Sequence, residues 1–349
     1  MARKYKQDEV IHGYKIDKDA FNNSGAMALA YAAKDPGGKK VFFKQYKSPS
    51  IRVSWYRAYV DYQKELKKRI DGDTNLREFC YEMIDFFEEK KCYHQVFGWV
   101  DSSEDLSKVL ERVKAGRGPN FAQRVILAKR LMGSMNALHE AKIIHADLKP
   151  ENLQLIDDPT ITAGHKLILI DMDFSVLSDK TAPWDGDPET GYVGSPNYYS
   201  PEHLRGDSPV TASDVYTCAL ILHELLGAGH PYESEEPDEY KDKALSNRAS
   251  KPRLEGEIKD AATTDLVAEY LHRCLHPDPT QRPTAKELQQ ALNGRAPALG
   301  PASTSTPPVS RPERERDTDP VREPVREPEP EPEISPLVME GPSGGSVSI

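Results

Sequence analysis

Cysteine is scarce in this chain: four residues in 349, Cys80, Cys92, Cys218 and Cys274, with no Cys-x-x-Cys pair among them. That excludes a cysteine-rich zinc module and a disulfide-stapled scaffold, and it points to a reducing, cytoplasmic compartment. Long apolar runs are missing too. No stretch approaches the ~20 residues needed to cross a bilayer, so no membrane span is expected. The start, Met1 to Glu9, is basic but has no apolar stretch behind it, unlike a secretory signal. Positive charge is in deficit, with 46 Lys and Arg against 56 Asp and Glu. The resulting net charge of −10 disfavours non-specific binding to nucleic acid.

From Arg295 to Ile349 the chain has almost no aromatic or large apolar clusters and is rich in Pro, Glu, Arg and Ser. Such a segment cannot bury enough surface to offset the entropy of ordering it, so 295–349 is expected to be a disordered tail. The repeat from Val321 to Pro328, followed by Glu-Pro alternation to Glu333, suggests an extended polyproline-like spacer. Two readings stay open: an inert solvated tail, or a tether that presents Ile334 to Met339 to a partner.

What the chain does have is His145-Ala146-Asp147-Leu148-Lys149-Pro150-Glu151-Asn152, set between apolar segments. An acid, a lysine and an amide fall between Asp147 and Asn152. A loop of that make-up could accept a proton, steady a phosphate and hold a metal ion at one point. A polar turn containing a proline has the same make-up, so the decision rests on companion segments elsewhere.

Those companions exist. The stretch resembles the catalytic loop, HRDLKPEN, of eukaryotic-like (Hanks-type) serine/threonine protein kinases of bacterial type. The resemblance implies that Asp147 orients and deprotonates a substrate hydroxyl, Lys149 contacts the moving phosphoryl group and Asn152 binds magnesium. The family arginine is replaced by Ala146. An alanine cannot pair with a phosphate on the activation segment, so activity is expected not to depend strongly on a phosphate in the segment 173–202, where Thr181, Thr190 and Ser195 are candidate phosphorylation sites.

Upstream, residues 14–46 read as strands. Asn23 to Asp35 resembles the glycine-rich loop GxGGMAxVYxAxD, with Asn23 at the first glycine, Gly25 at the second and Ala28 at the third. Small residues there let backbone N–H groups approach phosphate oxygens. Lys44 ends a V-x-x-K strand and matches the lysine that binds the α and β phosphates. Residues 55–70 lack Gly and Pro and read as a helix. Glu65 is the acid expected to pair with Lys44, with Asp61 as its rival. Tyr93 to Asp101 resembles the strand and hinge between the lobes, so the backbone of Gly98, Trp99 and Val100 is expected to meet the adenine. Phe121, Val125, Ala128, Met132, Met135 and Leu138 recur at helical spacing and read as core.

Downstream, the apolar run Leu167-Ile168-Leu169-Ile170 leads to Asp171-Met172-Asp173-Phe174-Ser175. Asp173-Phe174-Ser175 resembles the family's DFG, which assigns Asp173 to the metal; Ser175 stands for the glycine. Gly194 to Glu202 resembles GTPxYxAPE, and the resemblance implies that Glu202 pairs with Arg282 and that Asp214 anchors the catalytic loop.

The resemblance covers about residues 14–294. It implies an α+β, two-lobed protein kinase fold, with a small β-rich N-lobe at about 14–98 and a larger helical C-lobe at about 101–294. It also implies ATP-dependent phosphorylation of serine and threonine on protein substrates, with Mg2+ as cofactor and Mn2+ as the alternative ion. The departures at Asn23, Ala146 and Ser175 favour a different class, a pseudokinase scaffold that binds partners without catalysis. Retention of Lys44, Asp147, Asn152 and Asp173 argues for the enzyme. Lys149 and Arg282 favour a protein acceptor over a small molecule.

Overall fold

The computed structural model describes residues 3–18, 20, 28–47, 53–100, 103–161, 164–185, 196–227, 229–232 and 237–300. Gly25, Asn23, Thr190, Ser195 and the tail from 301 onward, with its expected disorder and tether, lie outside the described residues. Among the described residues, no helix is long and apolar enough to cross a membrane.

The N-terminal part is built on a six-stranded antiparallel sheet. Its strands are β1 (Val10–Ile11), β2 (Tyr14–Ile16), β3 (Ala28–Lys34), β4 (Lys40–Tyr46), β5 (Met83–Glu89) and β6 (Cys92–Gly98), in the order β1-β2-β3-β4-β6-β5. The turn after Asp35 works because Gly38 adopts φ +83 and donates to the Asp35 carbonyl at 2.9 Å. It sets the register in which Ala30 faces Lys44, and Lys44 in turn faces Gln95 of β6. Alternation along β4 sends Val41 and Phe43 into a small core with Tyr5, Tyr14, Tyr31 and Val96. The opposite face turns Phe42 and Lys44 toward the rest of the chain.

Between β4 and β5 run α1 (Tyr56–Gly72) and α2 (Thr74–Phe79). Tyr59, Tyr62, Gln63 and Leu66 form the buried stripe of α1. After β6 come β7 (Ser103–Asp105), α3 (Leu106–Lys114) and α4 (Phe121–Glu140). An Asn120–Gln123 capping box starts α4. Its apolar stripe, which the spacing places in the core, is buried from Val125 to Leu138, with Phe121 partly buried at its start. β8 (Ile143–Ile144) and β11 (Val176–Leu177) pair, as do β9 (Leu153–Asp157) and β10 (His165–Leu169). The helical part closes with α5 (Pro201–Arg205), α6 (Thr211–Leu225), α7 (Pro237–Leu245), α8 (Ala261–Cys274) and α9 (Ala285–Leu292). Nearly every residue of α6 is buried, and it forms the spine of the larger core.

The compositional boundary at Gly294 falls short of the packed structure. Ala296 and Leu299 pack on the core, the Tyr270 hydroxyl donates to the Pro297 carbonyl at 3.0 Å, and Arg273 donates to the Gly300 carbonyl at 2.9 Å. Proline- and alanine-rich chain is held here through its own carbonyls, by side-chain donors from α8.

One buried histidine gives the sheet a pH dependence. His94 of β6 is fully buried, stacks on Phe87 with ring centroids 4.9 Å apart, and meets the Tyr5 hydroxyl at 2.9 Å. Burial pushes its pKa down to about 4. The unfolded chain takes up a proton below the ordinary histidine value of about 6.5, while the folded chain resists until about 4. Stability from this group is therefore lost as pH falls through that window, at about 1.4 kcal/mol per unit. Urea unfolding between pH 6.5 and 4.5 should show a shallower slope for His94→Gln than for the parent. Equal slopes would remove His94 as the source.

Candidate active site

The helical part builds the catalytic loop. Asp214, in the first turn of α6, accepts the backbone N–H of His145 at 2.8 Å and that of Ala146 at 3.0 Å, and meets His139 of α4 at 3.0 Å. Those bonds hold Ala146 at φ +65, a left-handed conformation that L residues seldom adopt. The turn that results projects Asp147 outward. Asn152 donates to the Asp147 carbonyl at 2.7 Å and approaches its carboxylate at 3.4 Å. Lys149 lies 3.7 Å from the same carboxylate. Burial pushes the Asp147 carboxyl up to about 7, with Lys149 opposing it.

The sheet supplies the cation. Lys44 donates to Asp171 at 2.7 Å and to Asp173 at 3.0 Å. Burial opposes its charge, but the two carboxylates override it and hold the ammonium above its ordinary value. The Lys44 charge in turn holds the Asp171 carboxyl well below the usual range, whereas burial pushes Asp173 up. Ile170, the residue before Asp171, donates its N–H to the Asn152 carbonyl at 3.0 Å. The end of β10 is thus tied to the catalytic loop.

These groups open on one cavity of about 600 Å3, whose lining includes Ala28, Phe42, Lys44, Trp99, Val100, Asp147, Lys149, Asn152, Asp171 and Asp173. Most of the residues predicted for the site and described by the structure therefore share a wall. Gly98 does not line this cavity. Its N–H donates to the Glu82 carbonyl at 3.2 Å, and its own carbonyl accepts the Tyr81 hydroxyl. Trp99 and Val100, the next two residues, do line the cavity.

Glu65 is also corrected. Its carboxylate bonds to Arg69 at 3.1 Å and lies 3.5 Å from Lys180, on the outer flank of α1. The rival, Asp61, is exposed and paired with Lys64 at 2.7 Å. Two residues on a helix differ by about 200°, so with Gln63 inward Glu65 must face out. Gln63 donates to the Asp173 carbonyl at 2.8 Å and accepts from Gln95 at 3.5 Å. Arg69, an unexpected residue for this helix, forms a two-pronged clamp on Asp179 at 2.9 and 3.2 Å.

The residue that the sequence reading missed is Asp171. Its signal was present: it directly follows the apolar strand, ahead of the acid in the better-known motif.

Oxygen donors from carboxylate and amide suit a hard divalent cation. The Asp171 side chain is 40% exposed, and Asp171, Asp173 and Asn152 all line the cavity, so the residues present fit such an ion. Among the described residues, no three of His, Cys, Asp and Glu converge closely enough to hold an ion by themselves. Phosphate oxygens of a nucleotide would complete the set.

Comparison with known proteins agrees with the architecture. Residues 24–292 match the protein kinase domain family, and the chain belongs to that family. It is 24% identical over 282 residues to serine/threonine-protein kinase pkn3 of Myxococcus xanthus, covering 80% of this chain and 49% of that protein. It is 25% identical to a calcium and calcium/calmodulin-dependent serine/threonine-protein kinase of Pisum sativum, covering 73% of this chain and 46% of the relative. With serine/threonine-protein kinase plk-1 of Caenorhabditis elegans it shares 25% identity over 80% of this chain and 39% of the relative. The chain thus spans half or less of the length of these relatives.

Proposed function

We propose that this protein transfers the γ-phosphoryl group of ATP to serine or threonine hydroxyls of protein substrates. The observation that carries the proposal is the shared cavity into which β4, the catalytic loop and the end of β10 place Lys44, Asp147, Lys149, Asn152 and the Asp171/Asp173 pair. Phosphoryl transfer asks for positioning and charge neutralisation more than covalent chemistry. Lys44 is placed to hold the α and β phosphates, and Ala28 lets backbone approach them. Trp99 and Val100 border the base. Lys149 offsets charge on the moving group, and Asp147 takes the proton of the incoming hydroxyl. Asn152 and the acids after β10 would hold Mg2+, or Mn2+, which when bound neutralises the phosphate oxygens.

The test is incubation of the full chain with γ-labelled ATP and Mg2+ or Mn2+, with a mixed protein acceptor such as casein or myelin basic protein. Label is expected on serine or threonine after acid hydrolysis. No transfer to any acceptor or to the chain itself, with nucleotide binding intact, would replace the enzyme with the scaffold reading.

A further inference from the structure

We infer that Arg69 and Asp179 are positioning residues that fasten helix α1 to the segment after β11, so that an acid written into the sequence does there what a phosphate on the segment does in a switched kinase. This rests on the kinase reading above, since the helix being fastened is the one whose Gln63 meets Asp173.

Three observations carry it. The first is the pairing itself. Arg69 donates to both carboxylate oxygens of Asp179, at 2.9 and 3.2 Å, although the two residues lie 110 positions apart in the chain. The Arg69 side chain is only 17% exposed. Glu65 steadies it from within the helix at 3.1 Å, and Glu65 in turn lies 3.5 Å from Lys180. Single surface ion pairs contribute little, but a two-pronged guanidinium inside a run of alternating charges is the arrangement that does hold its geometry. The second is what surrounds the pair. The Leu177 N–H donates to the Tyr62 hydroxyl of α1, and the Ser178 N–H donates to the Lys142 carbonyl at 2.9 Å. Trp184 is buried, edge-on to Tyr62 with ring centroids 5.4 Å apart and to Phe174 at 5.2 Å. Residues 177–184 therefore grip α1 by charge on its outer flank and by aromatic rings on its inner one. The third is the source of the cation. Ala146, at the turn before Asp147, brings no charge, and the guanidinium that meets the segment comes from α1. From there the path to the nucleotide is short. Gln63, less than two turns earlier on the helix, donates to the Asp173 carbonyl at 2.8 Å, and the Asp173 carboxylate accepts from Lys44 at 3.0 Å.

The experiment compares Arg69→Met, Asp179→Asn and the double variant with the parent, all in the full chain. Two quantities are read: hydrogen exchange of the amides of 177–184 without nucleotide, and steady-state phosphate transfer from ATP to a protein acceptor. Each single variant should speed exchange across 177–184 and lower kcat/KM for ATP at least about tenfold, the scale of a small misplacement of reacting groups. The double variant should lose no more than the worse single one, since both remove the same interaction. Asp179→Glu should regain part of the loss, because a carboxylate still faces the guanidinium. Phosphatase treatment of the parent should leave its turnover unchanged. Thermal melts check folding, and if Arg69→Met melts early, the nearly isosteric Asp179→Asn carries the comparison. Losses that add in the double variant, activity lost with exchange at 177–184 unaltered, or turnover abolished by phosphatase would each overturn the assignment and leave the kinase reading standing. A parent that transfers no phosphate, before or after phosphatase, would sink the kinase reading, while the exchange measurement still decides whether Arg69 holds the segment.

Discussion

Asp147→Asn should lower kcat for a serine- or threonine-containing peptide by at least about a hundredfold, the usual scale for loss of a positioned general base. The substitution is nearly isosteric. The bond from Asn152 to the Asp147 carbonyl, at 2.7 Å, belongs to the backbone and survives it. So do the bonds from Asp214 that shape the turn at Ala146. What disappears is a carboxylate whose burial raises it to about 7, well placed to take a proton from an alcohol. The KM for ATP and the melting temperature should stay close to those of the parent, because Lys44 and the β10 acids are untouched. A kcat within a few-fold of the parent, measured by steady-state phosphate transfer, would remove Asp147 from its role.

The second large effect is on stability. Arg282→Ala should cost about 3–5 kcal/mol, as expected when one partner of a buried ion pair is removed and the other is left uncompensated. The side chains of Arg282 and Glu202 are 0% and 4% exposed, so solvent does little to screen them. The pairing predicted from sequence is present and two-pronged, at 2.8 and 3.0 Å. Arg282 also donates to the carbonyls of His276 and Ala212, at 2.6 and 2.8 Å, and Ser213 donates to Glu202 at 3.0 Å. One guanidinium therefore ties α5, the start of α6 and the loop before α9 together. Urea unfolding of the parent and the variant measures the difference. The double variant Glu202→Gln/Arg282→Met should lose less than Arg282→Ala alone, since no stranded charge remains. A single-variant loss below about 1 kcal/mol would show the pair to be energetically idle.

How far the sequence could be read follows from what kind of information each residue needs. The catalytic loop was legible because its chemistry lies in contiguous residues, Asp147 to Asn152. The stripe of α4 was legible because periodicity alone buries it. Glu65 misled because α1 carries acids and bases on most of its surface, while its inward face is written in tyrosine, leucine and one glutamine. Neutral residues on the working face of a helix give no charge signal to find. Asp171 is hard to single out because the Asp-Phe pair at 173–174 carries the motif, whereas the end of β10 is set by ladder hydrogen bonds that no motif records. Gly98 is expected from the sequence to meet the adenine, and the Glu82 and Tyr81 contacts it makes depend on strand pairing across the sheet.

The Tyr81–Gly98 contact has a practical consequence for chemical probes of this protein. Tyr81 lies flat against Phe97, with ring centroids 5.3 Å apart, and its phenol occupies an acceptor on the crossover strand. A flat heterocycle built to grip both edges of that strand would have to share this carbonyl with the phenol, on its second lone pair. The Phe97–Tyr81 stack borders the same cavity as Val100, so an aromatic group laid along it would meet two rings at once.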